Sequence, residues 1–209
     1  MRIFLLSLMM LVFLQVQGQH RKTYFPLWTY HQSDIRIYGV GVGWLPIYET
    51  VNTTTTGLRL EVPGPGLFLA FIPRAPWDTA HGNTNPAPPA NKQPEKVNGL
   101  NLSALGSMCY RVNGISLGAI GQINWRVNGI SVSGGMNIAE KHNGIQVAAA
   151  SLSEEMHGLQ IGISVASETM RGIQIGFMTS SKNTRGLQFG LWNKNEKRKL
   201  PFINWNFKS

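Results

Sequence analysis

The chain has 209 residues, of which 14% are charged and 23 are glycine, whereas an ordinary soluble domain carries about 25% charged residues. Its 43% of apolar residues exclude a disordered chain. Strand-type residues spread among so many glycines exclude a coiled coil or a long helical bundle. The net charge of +9 comes from basic residues that are scattered along the sequence. Because no zinc finger, helix-turn-helix or aromatic-basic platform accompanies them, we expect no nucleic-acid partner.

Residues 1–18 have the pattern of a secretory signal peptide. Arg2 precedes an apolar run over residues 3–14, and residues 16–18 are small or apolar at the cleavage-type positions. The run is shorter than the about 20 residues that a membrane-spanning helix needs. We therefore expect an exported chain in the outer membrane or at the cell surface, with residues 19–34 as an N-terminal segment.

Residues 35–72 contain two degenerate repeat units, which begin at Gly39 and Gly57. They are expected to form the first strands of a β-repeat domain. Residues 73–96 then hold six of the eleven prolines. Since proline cannot donate to a sheet ladder, this stretch is expected to be a Pro-rich loop inserted into the domain.

Residues 97–209 form the main β-repeat array with its closing strand, and a glycine marks the start of each unit. The glycines are 15, 15, 15, 14, 14 and 14 residues apart, and each is followed by Leu or Ile. These structural repeat glycines are Gly99, Gly114, Gly129, Gly144, Gly158, Gly172 and Gly186. Self-similarity at a fixed period indicates a repeat architecture.

Within the units, apolar and polar residues alternate with a period of two, which predicts strands. Asn-Gly pairs at residues 113–114 and 128–129 separate the alternating runs. Because Asn-Gly suits a type I′ turn, both pairs predict two-residue β-hairpins. The joints at residues 153–157 and 182–185 are longer and polar, so a bulge or a wider loop is expected there.

Two all-β folds fit this pattern. The first is an antiparallel up-and-down β-meander closed as an outer-membrane-type β-barrel of about 10 to 12 strands, because one strand face is apolar and the other is Gln, Ser, Gly, Asn and Ala. Alternating apolar and Asn residues over 203–207 predict its closing strand. The alternative is a parallel β-solenoid with 14–15-residue coils, which would stack Gln160, Gln174 and Gln188 into a ladder. Uninterrupted alternation across whole units favours the barrel.

The units at residues 158–162, 172–177 and 186–193, followed by Leu-Pro-Phe-Ile-Asn-Trp-Asn-Phe at 200–207, resemble a family of bacterial cell-surface and outer-membrane repeat proteins. That family is built from Gly-Leu/Ile-Gln-Ile-Gly-type units. The resemblance covers residues 99–207 well and residues 35–62 loosely. It implies a location in the cell envelope and transfers no functional residue, since the family has no assigned activity. The units over residues 99–144 depart from it by having Ser or Asn in place of Gln.

The polar side chains form no recognisable catalytic or metal-binding motif. His142 and His157 lie at joints one repeat apart and would suit a metal pair only if those joints were adjacent, and their spacing is not that of a zinc site. Ser151, Ser153 and Glu154 with His157 have the composition of a lipid-modifying site on a barrel rim, but no Gly-x-Ser-x-Gly elbow is present. We therefore expect no enzymatic activity, no cofactor and no metal.

The only cysteine, Cys109, has no partner for an intramolecular disulfide, and we expect it to fill a sheet face as a small residue.

Taken together, these features of the sequence indicate a non-enzymatic cell-envelope protein. As a barrel it would have a structural, adhesive or pore role, with outer-membrane lipid as its partner. As an exported solenoid it would bind a protein or glycan through its repeat face. A lipid-modifying outer-membrane enzyme is a minor alternative.

Overall fold

A computed structural model of the chain describes residues 21–44, 52–63 and 95–207. These residues form strands and connecting segments, and no helix of membrane-spanning length and apolarity occurs among them. The strands are β1 (Lys22–Tyr24), β2 (Leu27–Thr29), β3 (Ile35–Gly43), β4 (Thr54–Glu61), β5 (Lys96–Ser103), β6 (Gly106–Gly118), β7 (Gly121–Ser133), β8 (Met136–Val147), β9 (Ala150–Lys194) and β10 (Lys199–Asn206). The expected signal peptide at residues 1–18 lies outside the described residues, as does the expected Pro-rich loop up to residue 94.

Strands β3 to β9 pair in parallel with their neighbours in sequence order. Each residue lies beside its equivalent in the next unit, so that Gly99 pairs with Gly114 and Gly114 with Gly129. The chain therefore advances by one coil per unit, which makes the fold a parallel β-solenoid. The expected closed antiparallel barrel is wrong and the solenoid alternative is confirmed. Parallel stacking gives every repeat the same surroundings, whereas successive strands of a barrel would place identical units in inverted ones.

Strand β9 runs through 45 residues and contains Gly158, Gly172 and Gly186. Hydrogen bonds between glutamine side chains 14 residues apart show that this strand winds through successive coils. The wider loops expected at residues 153–157 and 182–185 are wrong, because both segments lie within β9. Their polar residues belong to strand faces instead of turns.

The hairpins expected at residues 113–114 and 128–129 are also wrong, since these Asn-Gly pairs lie within β6 and β7. The glycine instead forms a one-residue corner. Val112, before the corner, is buried, while Ile115, after it, is exposed. A corner of this kind shifts the apolar positions by one residue, as a two-residue hairpin does, so the sequence pattern is compatible with both.

The corner glycines form a column along the solenoid. From Gly39 to Gly186, the nine members have φ between +116° and +158°, a range that glycine adopts without the steric cost of a side chain. A Cβ atom built on Gly129 would lie 2.0 Å from the carbonyl oxygen of Gly114 in the preceding coil. The period is therefore marked by glycine because the backbones of neighbouring coils touch at this corner.

Two columns of side chains fill much of the interior. A mainly apolar buried column is formed by the residues two positions before the corner glycines. It includes Val97, Val112, Val127, Met156 and Met170. Two residues after the corner glycines lies a buried polar column, whose members are Arg59, Asn101, Ser116, Ser131, Gln146, Gln160, Gln174 and Gln188. The polar face of the repeat is thus turned inward, and the apolar residues that alternate with it are left on the outside.

The glutamine side chains of the polar column hydrogen-bond to one another in series, and Gln188 Oε1, at the end of the series, has no hydrogen-bond partner. Gln160 Nε2 donates to Gln146 Oε1 over 2.9 Å, and Gln174 Nε2 donates to Gln160 Oε1 over 2.9 Å. Gln188 Nε2 continues the series to Gln174 Oε1 over 2.8 Å. This is the glutamine ladder that the solenoid alternative predicts. Buried amides are tolerated in such an interior because they are hydrogen-bonded.

The units that have Ser in place of Gln use a different polar side chain to fill the interior. Ser116 Oγ and Ser131 Oγ both donate to Gln122 Oε1, over 2.6 Å and 3.2 Å. Gln122 Nε2 in turn donates to the carbonyl oxygen of Val132 over 2.7 Å. The shorter serine side chains are therefore compensated by a glutamine from another part of the coil.

The last strand, β10, pairs antiparallel with the end of β9, with Asn204 beside Gln188. A closing strand is present as expected, but it covers the end of a solenoid instead of closing a barrel. Its Lys199 and Pro201 are residue types that discourage further edge pairing. At the other end, β1 and β2 lie within the expected N-terminal segment, residues 19–34, and pair in parallel with β3.

Candidate binding surface

The outer side of the solenoid carries a continuous apolar sheet, which we call the apolar face. It consists of the side chains one, three and five residues after the corner glycines, and none of them is buried. The pairing register places Leu100, Ile115, Ile130 and Ile145 in one row of this face. Its members are Val40, Val42, Trp44, Leu58, Leu60, Val62, Leu100, Leu102, Ala104, Ile115, Leu117, Ala119, Ile130, Val132, Ile145, Val147, Ala149, Leu159, Ile161, Ile163, Ile173, Ile175, Phe177, Leu187, Phe189 and Leu191.

The size of the apolar face follows from strand geometry. Coils about 4.8 Å apart, repeated over the nine corner glycines, give a length of about 38 Å, and five residues of extended chain give a width of about 13 Å. The resulting area of about 500 Å² lies near the upper end of what monomeric proteins leave exposed. Large side chains such as Phe177, which is 59% exposed, and Ile163, which is 60% exposed, stand on it.

A row of cations runs parallel to the apolar face, and we call it the basic rim. Lys96, Arg111, Arg126 and Lys141 each lie three residues before a corner glycine, and the register places them side by side in consecutive coils. Arg171 and Arg185, both exposed, lie in later coils one residue before their glycines, nearer to the apolar face than the rim is. Treating the basic residues as scattered is therefore wrong. Their recurrence at a constant distance from the repeat glycine was the sequence signal for this row.

The counter-charge of the rim is gathered at its Lys141 end, where Glu155 follows in the same row and Glu140, Glu154 and Glu168 lie nearby. Lys141 Nζ forms an ion pair with Glu155 Oε1 over 2.8 Å, whereas the ion pairs of the described residues include none for Lys96, Arg111 or Arg126. Arg111 Nε is buried without a hydrogen-bond partner. Like charges opposite each other in a sheet repel. An external anion beside Lys96, Arg111 and Arg126 would relieve that repulsion.

In the coils of Arg111 and Arg126, the rim is bordered on its two sides by an aromatic pair and an amide ladder. Tyr110 and Trp125, just before Arg111 and Arg126, are stacked with ring centroids 5.9 Å apart. Between the rim and the apolar face, asparagines one residue before the glycines form a ladder in which each Nδ2 donates to the preceding Oδ1 over 2.8 to 2.9 Å. The surface therefore passes from aromatic through cationic and amide groups to apolar side chains.

At the N-terminal end, the polar column contains a buried ionic cluster. Arg59 Nε donates to Glu95 Oε1 over 2.8 Å, and its Nη1 donates to Glu61 Oε2 over 2.7 Å. The Tyr30 ring packs 4.0 Å from the guanidinium carbon. Burial disfavours the charged guanidinium, but Glu95 and Glu61 raise the pKa of Arg59 well above its usual range. Burial also raises the pKa of Glu61. The cluster is enclosed and takes the place that Gln and Ser have in later coils.

The two histidines considered as a metal pair do not occupy equivalent positions. His142 is two residues before Gly144 and fully buried, in register with Met156, whereas His157 is one residue before its glycine and half-buried, in register with Asn143. Neither ring nitrogen of His142 has a hydrogen-bond partner, and burial lowers the pKa of His142 to about 4. The one-residue difference in register places the two rings on opposite sides of the coil wall.

The serines considered for a lipid-modifying site are also turned away from His157. Ser151 is buried and its Oγ donates to the carbonyl oxygen of Ile161 over 2.8 Å. Ser153 is buried and accepts from Gln160 Nε2 over 3.3 Å. Glu154 is half-buried, beside other carboxylates, and burial raises its pKa. Ser151 and Ser153 thus belong to the internal polar network, whereas Glu154 is half-buried outside it.

Cys109 is buried in a small cluster with Val97 and Val112, and burial raises the pKa of its thiol. Among the described residues, His, Cys, Asp and Glu side chains form no group of three that suits a metal ion.

No protein-family model, curated protein or solved structure matches this chain. Its function is therefore inferred from the apolar face and the basic rim.

Proposed function

We propose that this chain is an exported, non-enzymatic repeat protein of the bacterial cell envelope that binds a partner through the apolar face of its β-solenoid. One observation carries the proposal: the apolar face continues across nine coils and stays open among the described residues. Export is supported by the signal-peptide pattern of residues 1–18. The envelope location is supported by the resemblance of residues 99–207 to cell-surface repeat proteins.

The apolar face is not needed to build the interior. The interior is filled by the polar ladder and by the buried apolar column, whereas Ile115, Ile130 and Ile145 stand outside it with 37 to 41% of their area exposed. A sheet whose outer side faced only water would carry charged residues along its strands, since flat apolar sheets associate. A large exposed apolar surface indicates an interaction site. A surface-bound partner therefore explains why the outer positions repeat Ile and Leu.

Cell fractionation of a chain carrying aspartates on the apolar face tests this proposal. The wild-type chain is expected in the envelope fraction and is expected to be released by alkaline carbonate, because it is held at a surface. The double variant Ile130→Asp, Ile175→Asp is expected to move largely to the soluble fraction, because carboxylates oppose the burial of this face. Both positions are partly exposed, so the fold should tolerate the change.

The matched control is Ala166→Asp, Ser180→Asp, which adds the same charge six residues before the corner glycines, on another wall of the coil. This control is expected to remain in the envelope fraction. Circular dichroism verifies that all three chains are folded. If the two double variants fractionate alike, the apolar face is not the surface that binds the envelope.

A further inference from the structure

We propose that the partner of the apolar face is an anionic lipid bilayer surface, and that the basic rim contacts the lipid phosphates while the apolar side chains enter the interface. This inference rests on the proposed function and specifies the chemistry of its partner. Peripheral membrane proteins bind anionic membranes by inserting apolar residues into the interface while neighbouring Lys and Arg contact the lipid head groups. Here a β-solenoid presents that combination in parallel rows.

The charge distribution favours a negative partner. Over the outer positions from one residue before the corner glycine to five residues after it, the described coils contain no carboxylate on the outside, because Glu61 in this stretch is buried. The carboxylates beside the rim, Glu140, Glu154, Glu155 and Glu168, lie at its Lys141 end. Arg111 and Arg126 are paired in register with each other and have no acidic partner among the described ion pairs. Each cation near an anionic leaflet strengthens binding several-fold.

The aromatic pair Tyr110–Trp125 lies next to the rim, with its rings stacked. Tyr and Trp are enriched where apolar and aqueous regions of a membrane meet, because their rings are amphipathic. Trp44 and Trp192 are also exposed, at 67% and 51%. One aromatic pair therefore lies beside the cations and Trp44 lies on the apolar face, which is typical of a membrane interface.

A second copy of the chain fits the same surface less well. Each copy carries a net charge of +9, and the outer residues of the apolar face have no carboxylate to offer to a facing rim. Two faces pressed together would bury apolar area but would supply no counter-charge to Lys96, Arg111 and Arg126 of either copy. An anionic bilayer supplies the apolar region and the negative charge together.

Vesicle flotation with the purified chain after removal of residues 1–18 tests the proposal. Vesicles of phosphatidylcholine with phosphatidylglycerol are compared with vesicles of phosphatidylcholine alone, at low and high salt. The wild-type chain is expected to float with the anionic vesicles and to bind them less tightly as salt increases. The double variant Arg111→Gln, Arg126→Gln is expected to bind about 30-fold more weakly. The control Lys194→Gln, Lys199→Gln removes two exposed cations at the end of the solenoid, away from the rim, and is expected to bind within about 3-fold of wild type.

The outcomes separate this inference from the proposed function. Equal binding of wild type and the arginine variant overturns the role of the rim. If Ile130→Asp, Ile175→Asp leaves the envelope fraction but wild type binds neither kind of vesicle, the apolar face has a protein or glycan partner and the lipid inference is wrong. A wild-type dimer in solution that this face variant dissociates, without vesicle binding, assigns the face to a second copy and also overturns the inference.

Discussion

Replacing the corner glycine Gly129 with alanine should strongly destabilise the solenoid. Its φ is +139°, and a Cβ atom there would lie 2.0 Å from the carbonyl oxygen of Gly114 and 2.9 Å from the carbonyl carbon. These neighbours are backbone atoms of the preceding coil, so no side chain can rotate away to make room. The two coils must separate at the corner or the backbone must change its conformation.

The magnitude follows from the two consequences of the substitution. Holding a non-glycine residue at this φ costs about 1 to 3 kcal/mol. Restoring an ordinary contact of about 3.5 Å requires the coils to move apart by more than about 1 Å. Such a shift breaks about two inter-coil backbone hydrogen bonds at about 1 kcal/mol each. The free energy of unfolding is therefore expected to fall by about 3 to 5 kcal/mol, with a Tm lower by about 10 °C.

The assay is urea and thermal unfolding followed by far-ultraviolet circular dichroism, with Gly41→Ala as the matched control. Gly41 lies in β3 outside the glycine column, and its nearest neighbours, at 3.1 Å, are atoms of the Thr55 side chain. Alanine there is expected to change the free energy of unfolding by less than about 1 kcal/mol. Equal unfolding midpoints for the two variants would refute the role of backbone contact in the glycine column.

Two further predictions concern the interior. Gln160→Leu should lower the free energy of unfolding by about 2 to 4 kcal/mol, because it leaves ladder groups of Gln146 and Gln174 without their partner. Gln188→Leu, at the end of the ladder, should lower it by about half as much in the same urea titration. His142 is neutral in the folded chain with a pKa of about 4, so the unfolded chain binds a proton first as pH falls. Its contribution is fully present above pH 6.5 and is reduced by about 3 kcal/mol at pH 4. Unfolding midpoints of His142→Met should vary less between pH 7 and pH 4 than those of wild type, and an equal pH dependence would contradict this.

The repeat unit, its period and the all-β class can be recognised from the order of the amino acids alone. Glycine followed by Leu or Ile every 14 or 15 residues marks the coils because the corner requires a residue without a side chain. Alternation with a period of two specifies strands with one apolar and one polar face, since successive side chains of a strand point to opposite sides. These features depend on local geometry, so they can be recognised without knowing how the units pair.

The pairing of the units and the choice of the inner face depend on contacts between coils, which the order of the amino acids does not show. A one-residue glycine corner and a two-residue Asn-Gly hairpin shift the apolar positions alike, so the sequence did not distinguish coils from antiparallel strands. Parallel stacking brings Gln146, Gln160 and Gln174 within hydrogen-bonding distance, and this pairing makes a polar interior stable. The same register collects Arg111 and Arg126 into one row beside the apolar face. Both arrangements arise from contacts between residues one coil apart. The sequence of a single strand does not show which residues will make those contacts.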